Sequence, residues 1–172
     1  MNKENSKHSS VESYLSFRIG DELFAAHVKN VLNILELSKI TKVPKAPSYL
    51  KGVINLRGSV LPVIDSRLKF GMEEVEYTSN TCILVLDLFV NNEKVSVGAI
   101  VDSVQEVLEI EDSQIQPPPS IGSTYRTDFI TGMVKLNDTF VMLLDAERVF
   151  STDEVVDLKN VTEEIKTAVE KA

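Results

Sequence analysis

The chain has 172 residues, 43% of them hydrophobic and 26% charged, which is enough for one substantial domain or for two small ones that share a core. Its formal net charge of −8 argues against binding to nucleic acid or to an anionic membrane surface, and no basic cluster is expected to offset that charge. The single cysteine, Cys82, excludes an intrachain disulfide framework and fits a reducing compartment.

The N-terminal part of the chain changes from polar to strand-like. Residues 1–13 are polar and are predicted to form a disordered tail, without the apolar stretch of a signal peptide. The alternation of Leu15, Phe17 and Ile19 with polar residues then predicts a strand, which Gly20-Asp21 turns into a second one. Because no apolar run reaches the length of a membrane span, we expect a cytoplasmic protein with no direct membrane insertion.

The next apolar residues recur at a helix-like spacing. Val28, Val31, Leu32 and Leu35 follow one another at intervals typical of one helix face, which predicts a short helix or a helical turn.

The segment 52–70, GVINLRGSVLPVIDSRLKF, predicts a strand, a tight turn, a second strand and a short helical turn. The turn carries Arg57-Gly58, and although a glycine takes positive φ without steric cost, no turn geometry requires the arginine. Because the proline at Pro62 has no N–H to donate to a ladder, we expect the second strand at a sheet edge. An exposed arginine beside an edge strand indicates a docking surface; a solvated arginine and an edge-protecting proline would explain the same residues.

The same order of features recurs in the second half of the chain, which indicates an internal repeat. The matched parts are residues 28–36 with 101–109, the prolines Pro44 and Pro47 with Pro117–Pro119, and residues 52–70 with 132–150. At the turn, the second copy has Asn137-Asp138 in place of Arg57-Gly58. Two similar units of short antiparallel strands favour small barrels or a sandwich, because closing a sheet removes its exposed edges.

The C-terminal residues 151–172 predict an amphipathic helix, since Leu158, Val161 and Ile165 fall on one face. We expect this helix to pack on the β units; a partner-binding helix is the alternative.

Catalysis finds little support in the sequence, which shows no nucleophile elbow, no phosphate-binding glycine loop and no metal-ligand cluster, so we expect no cofactor. Asp65 and Asp145 occupy equivalent positions before short helical segments, where N-capping is a simpler role than acid–base chemistry. His27 is interpreted as a structural imidazole. A small-barrel enzyme that uses Asp65 or Asp145 stays an alternative, and a small-barrel nucleic-acid binder is disfavoured by the acidic charge.

From Tyr14 to about Phe150 the chain resembles the CheW family, the coupling proteins of bacterial chemotaxis. The most specific match is GVINLRG at 52–58, followed by PVID from Pro62 and by Arg67; weaker matches are residues 101–104, Ile115 with the prolines after it, and residues 130–133.

The resemblance implies a mainly β fold of two SH3-like five-stranded β barrels, related by a pseudo-twofold repeat and followed by the C-terminal helix. The implied domains are the tail at 1–13, a CheW-like domain at 14–150 with two interleaved barrel subdomains of roughly 14–80 and 81–150, and the helix at 151–172.

The resemblance also implies a non-catalytic adaptor that couples methyl-accepting chemoreceptors to the histidine kinase CheA. In the family, the first barrel meets the kinase's regulatory domain, and the receptor's helical tip enters an apolar groove between the barrels. The implied partner-binding residues are Arg57, Asn55, Gly58, Gly52, Val31, Asn33, Ile34 and Pro62. An adaptor of a chemosensory system that does not control flagellar motility is the alternative.

One position departs from the family pattern. The family usually has Glu where this chain has Asn33, and that carboxylate can pair with the signature arginine. An Asn–Arg hydrogen bond has only one charged partner and orients the arginine less strongly. We therefore expect either a compensating pair between Glu36 and Arg57 or an altered choice of partner.

Overall fold

The computed structural model describes residues 10–90, 92–118, 129–150 and 152–170. In chain order the elements are β1 (Val11–Ile19), β2 (Glu22–His27), β3 (Val31–Glu36), β4 (Leu50–Leu56), β5 (Ser59–Asp65), α1 (Ser66–Lys69), β6 (Cys82–Val90), β7 (Glu93–Val101), β8 (Ser103–Glu111), β9 (Ile130–Leu136), β10 (Thr139–Leu144) and α2 (Thr152–Glu170). Strand β1 begins inside the segment 1–13 that was expected to be a tail, and residues 1–9 lie outside the described residues. Among the helices described, none is long and apolar enough to cross a membrane.

The ten strands form two five-stranded sheets, which confirms the prediction of a mainly β protein with two similar units. The first sheet has the order β8-β1-β2-β10-β9 and the second the order β3-β6-β7-β5-β4. Each sheet combines a hairpin from one half of the chain with three strands from the other half. Strand β10 runs parallel to β2, and β5 runs parallel to β7, so the repeated units exchange strands in the same way.

In each sheet, one loop residue forms a backbone bridge with an edge strand. Thr41 exchanges hydrogen bonds of 2.9 and 2.8 Å with Val53 on β4, in the second sheet. Gln116 does the same with Met133 on β9, in the first sheet, at 2.8 and 2.9 Å. These bridges satisfy backbone groups that would otherwise be exposed at the sheet edges.

Apolar side chains from both sheets form a shared core. Phe17 and Phe24 from the first sheet pack in one cluster with Leu84 and Val101 from the second. Helix α2 packs on the second sheet, where Leu158 is 1% exposed and belongs to a core cluster of that sheet. Burial of such clusters supplies most of the favourable free energy of folding.

The region predicted as a short helix is instead a single 3-10 turn followed by a strand. The turn covers Val28–Asn30, and β3 starts at Val31. Along β3, Leu32 and Ile34 are exposed, while Val31 and Leu35 are half-buried on the other face. Because both faces of this strand carry apolar residues, their spacing imitates a helix, and the helical prediction for 31–35 is wrong.

The prediction that Pro62 marks an edge strand is also wrong, since β5 lies between β4 and β7. In an antiparallel pair of strands, hydrogen-bonded and non-hydrogen-bonded residue pairs alternate. Leu56–Ser59 beside the turn is a hydrogen-bonded pair, so Val53–Pro62, three pairs further on, is a non-hydrogen-bonded pair. The nitrogen of Pro62 therefore points away from β4. On the other side, β5 pairs with β7 only over Val63–Asp65, and the proline lies just before that ladder.

Asp102 joins the two sheets through its side chain. It accepts hydrogen bonds from the backbone N–H of Gly20 at 2.7 Å and from Nε and Nη2 of Arg67 at 3.1 and 2.6 Å. Gly20 lies in the turn between β1 and β2 of the first sheet, and Arg67 lies on α1, which follows β5 of the second sheet. Burial alone would raise the pKa of Asp102, but the hydrogen bonds from Arg67 and Gly20 outweigh it, so the pKa is lowered.

The Asp102 contacts are expected to stabilise the protein only while the carboxylate is ionised. Because the folded pKa lies below the unfolded value of about 3.9, this stabilisation is complete above that value and is lost as pH falls through the folded pKa. We expect Asp102→Asn to lower the free energy of unfolding at pH 7 by about 1–3 kcal/mol. The difference from wild type should narrow near pH 3 in urea titrations, whereas Asp138→Asn in an exposed turn should have little effect at either pH. A difference that stays constant or widens on acidification would contradict this account.

Candidate partner-binding site

The turn between β4 and β5 holds an arginine in an unusual backbone conformation. Arg57 has φ of 52° and Gly58 has φ of 86°, and both are exposed. Two successive left-handed residues are typical of the type I′ turn, which matches the twist of a two-residue hairpin. Asn or Gly is the usual choice for its first position, so an arginine there has a conformational cost that other residues would avoid.

Asn55 fixes this turn from within the hairpin. Its Oδ1 accepts a hydrogen bond from the backbone N–H of Gly58 at 2.9 Å. The side chain thus satisfies a backbone donor at the tip and holds the two turn residues that present Arg57.

Removing that acceptor is expected to loosen the turn. Asn55→Ala should lower the free energy of unfolding by about 0.5–1.5 kcal/mol, because the Gly58 N–H loses its protein partner. Asn55→Asp keeps an acceptor oxygen at the same position and should stay within about 0.5 kcal/mol of wild type. Urea unfolding of both variants measures the difference. Equal destabilisation by the two substitutions would show that the hydrogen bond has no such role.

The expected pairing of Arg57 is not found. Among the described residues, Arg57 makes no hydrogen bond or ion pair, and in particular none with Asn33 or Glu36. Asn33 instead accepts the N–H of Ile34 through its own Oδ1 at 2.8 Å. Because β3 is extended rather than helical, residues three apart point to opposite faces of the strand, so Asn33 and Glu36 do not share a surface. The hypothesis of a compensating Glu36–Arg57 pair is therefore wrong.

The structure places all eight sequence-predicted site residues in the second sheet or its β4–β5 turn. They differ in accessibility: Arg57, Asn55, Gly58 and Ile34 are exposed, Val31 and Asn33 are half-buried, and Gly52 and Pro62 are buried. A partner can touch the first group directly. The two buried residues can affect a partner only through the shape of the sheet.

Sequence reasoning missed one exposed apolar residue on β3, the strand that carries three of the predicted site residues. Leu32 is 56% exposed and Ile34 is 45% exposed on the same face of β3. On the other face of β3, Leu35 packs on the same core cluster as Leu56, which lies next to the Arg57 turn. The sequence VLNILE has no two-residue alternation of apolar and polar residues, so it offered no signal that could have identified Leu32.

The residues considered for catalysis all have structural roles. Oδ1 of Asp65 accepts the backbone N–H groups of Arg67 and Leu68 at 2.9 and 3.3 Å at the start of α1. Asp145 accepts the N–H of Glu147 at 3.0 Å, which confirms N-capping by both carboxylates. The second oxygen of Asp65 accepts the Tyr77 hydroxyl at 2.9 Å.

His27 is likewise engaged in structure. Its Nδ1 accepts the N–H of Lys29 at 3.0 Å, and its Nε2 lies 3.2 Å from a carboxylate oxygen of Glu12. The imidazole therefore caps the 3-10 turn that leads from the first sheet to the second, as expected for a structural histidine.

The cavity between the two sheets is small and apolar. It measures about 30 Å³ and is lined by side chains of both sheets, among them Phe17, Ile64 and Leu84. That volume holds roughly one water molecule.

Comparisons with known proteins give the chain a family context. A family model described as a CheW-like domain matches residues 13–154. The chain is 34% identical over 150 residues to the chemotaxis protein CheW of Klebsiella aerogenes, covering 87% of this chain and 88% of that protein. It is 36% identical over 140 residues to the probable chemotaxis protein CheW of Rhizobium etli, covering 81% and 88%. The crystal structure of scaffolding protein TtCheW from Thermoanaerobacter tengcongensis superposes with a TM-score of 0.73 at 29% identity, covering 84% of this chain and 96% of that one.

Proposed function

Because the chain belongs to the family of CheW-like domain proteins, we infer that it is a chemotaxis coupling adaptor. The observation that carries this conclusion is the extent of the match, which covers residues 13–154 and so reaches all ten strands of the two sheets. The family is one of scaffolds and adaptors rather than known enzymes. Asp65, Asp145 and His27 each accept a backbone N–H, which supports structural roles for these side chains.

The two sheets are proposed to act as two SH3-like barrels of one body, with α2 as a packing element. The backbone bridges Thr41–Val53 and Gln116–Met133 support closed sheets. The burial of Val155 and Leu158 against the second sheet supports a packing role for α2. Together these features favour a rigid scaffold over a hinged one.

The proposed partners are the regulatory domain of the histidine kinase CheA and the cytoplasmic tip of a methyl-accepting chemoreceptor. We assign the kinase contact to four exposed residues of the second sheet and its β4–β5 turn, which are Arg57, Asn55, Leu32 and Ile34. Exposed apolar side chains there offer area to bury, and a turn cation without a protein partner among the described residues offers orientation. The protein would then act in the cytoplasm at receptor arrays.

Binary binding tests this assignment. Purified protein is titrated by calorimetry with the kinase regulatory domain and, separately, with a receptor signalling fragment, both from the same genome. We expect a one-to-one complex with each partner. Absence of binding to both would overturn the adaptor function, and binding to the receptor alone would overturn the assignment of the kinase contact.

A further inference from the structure

Positive charge is concentrated in one part of this acidic chain. Residues 37–64 contain no Asp or Glu and five basic residues, which are Lys39, Lys42, Lys45, Lys51 and Arg57. The rest of the chain holds the other 13 of the 18 Lys and Arg residues together with all 26 Asp and Glu residues. The expectation that no basic cluster offsets the acidic charge is therefore wrong: 28 residues carry +5 and the remainder −13.

Three of these cations follow a period of three residues. We use the name lysine row for the exposed residues Lys39, Lys42 and Lys45. Each of them is followed by a partly buried apolar residue, and these are Ile40, Val43 and Ala46. Ile40 packs on the core cluster of the second sheet that contains Ile54, and Ala46 packs on the cluster that also receives α2. The partly buried apolar residues attach the segment to the core. Because an extended chain advances about 9 Å over three residues, Lys39 and Lys42 project into solvent at about that spacing.

Backbone conformation points to the same segment. Among the described residues, four residues other than glycine have positive φ, namely Lys45, Arg57, Asn92 and Asn137. Asparagine tolerates this conformation, whereas long side chains pay about 1–2 kcal/mol for it. The two residues that do so are both cations of the acid-free segment, with φ of 60° and 52°. At these two positions the chain thus carries a cation although a glycine or an asparagine would fit the backbone conformation better.

Among the described residues, four of the five cations have no carboxylate partner. Within the described residues, the lysine row and Arg57 form no ion pair, whereas Lys51 is paired with Glu74. The bridge from Thr41 to Val53 fixes the row against β4, which is an edge strand of the second sheet and ends at the Arg57 turn. The charges therefore lie on a fixed surface rather than on a free tail.

We propose that the lysine row and Arg57 form a docking surface for an acidic segment of a partner protein. That the acidic segment belongs to a partner of the adaptor rests on the adaptor function inferred above. A short acidic segment meets only the local positive charge, whereas a long polyanion or an anionic membrane would also face the −13 of the remaining chain. Contacts between exposed charges are screened by salt, so the interaction should depend strongly on ionic strength.

The test uses the full chain and a fluorescently labelled peptide of four Glu-Ser-Gly repeats, whose carboxylates share the three-residue spacing. We expect the affinity measured by anisotropy to fall at least about tenfold between about 50 mM and about 300 mM salt. At low salt, K39Q/K42Q/K45Q should bind at least about tenfold more weakly than wild type. The control K29Q/K94Q/K135Q removes the same charge from other exposed positions and should stay within about twofold.

Several results would overturn the docking surface. In the peptide assay, these are no binding by the wild-type protein at low salt, or equal weakening in both triple variants. Tighter binding to duplex DNA or to phosphatidylserine vesicles than to the peptide would also overturn it. So would a loss of self-association, measured by sedimentation, that is confined to K39Q/K42Q/K45Q. The adaptor function is judged separately, from kinase and receptor fragments titrated in the same buffer. If neither fragment binds while the peptide pattern holds, the adaptor function fails and the docking surface stands.

Discussion

Arg57→Asn is expected to weaken binding to the kinase regulatory domain at least about tenfold, or about 1.4 kcal/mol, while leaving the fold intact. The substitution removes the exposed cation that we assign to the contact. At the same time it places at φ of 52° a residue that tolerates the left-handed conformation, so the free energy of unfolding should stay the same or rise by up to about 1 kcal/mol. Calorimetric titration and urea unfolding of the same preparation measure both effects.

The equivalent turn of the first sheet provides a matched control. Asn137 has φ of 56° between β9 and β10, and Asn137→Asp makes the same change in net charge as Arg57→Asn at a residue that also tolerates positive φ. Kinase binding should be unaffected by this control. If the two variants weaken binding equally, net charge rather than the Arg57 turn governs the interaction.

Gly52→Ala is expected to be the most destabilising small substitution in the second sheet, lowering the free energy of unfolding by more than about 3 kcal/mol. A Cβ added at Gly52 would lie 2.1 Å from the carbonyl oxygen of Thr41, in a backbone with φ of 149°. That carbonyl accepts the N–H of Val53, so relief of the clash would break the bridge between Thr41 and Val53. Since domains of this kind have a stability of about 5–15 kcal/mol, such a loss removes much of it.

Two other glycines separate the clash from the backbone effect. Gly58 has φ of 86° and no atom within 4 Å of an added Cβ, so Gly58→Ala should cost only about 1 kcal/mol. At Gly132, the equivalent of Gly52, an added Cβ meets a methyl of Ile115 at 2.5 Å and the carbonyl oxygen of Gln116 at 3.0 Å. The side chain can move more easily than backbone, and Gly132→Ala should fall between the other two. Urea unfolding in which Gly58→Ala is the most damaging would contradict this ranking.

Local features of the fold were predictable from the sequence because neighbouring residues determine them. Apolar alternation and turn residues identified the strands, and the position of Asp65 and Asp145 before short helical segments identified two N-caps. The repeat was also visible, since it is a similarity between segments. These features depend on contacts within a few residues along the chain or on direct comparison of its two halves.

Other features depend on contacts that the sequence does not display. The exchange of strands between the two sheets is set by pairing between distant segments, such as β5 with β7. An interior strand can accommodate Pro62 because β5 pairs with β7 only over Val63–Asp65, which leaves the proline outside that ladder. The sequence of β3 resembles that of a helix because both faces of the strand carry apolar residues. The orientation of Asn33 toward the Ile34 N–H left Arg57 without its expected partner. For the site, the sequence identified the exposed turn but not Leu32 or the lysine row.

Kinase activity in a reconstituted assembly tests the adaptor function most directly. The histidine kinase and a receptor signalling fragment from the same genome are mixed with and without this protein, and kinase autophosphorylation is followed. The adaptor function predicts a ternary complex in which autophosphorylation rises well above that of kinase and receptor alone, and a much smaller rise with Arg57→Asn. Autophosphorylation that is unchanged by the wild-type protein, with no ternary complex formed, would contradict it.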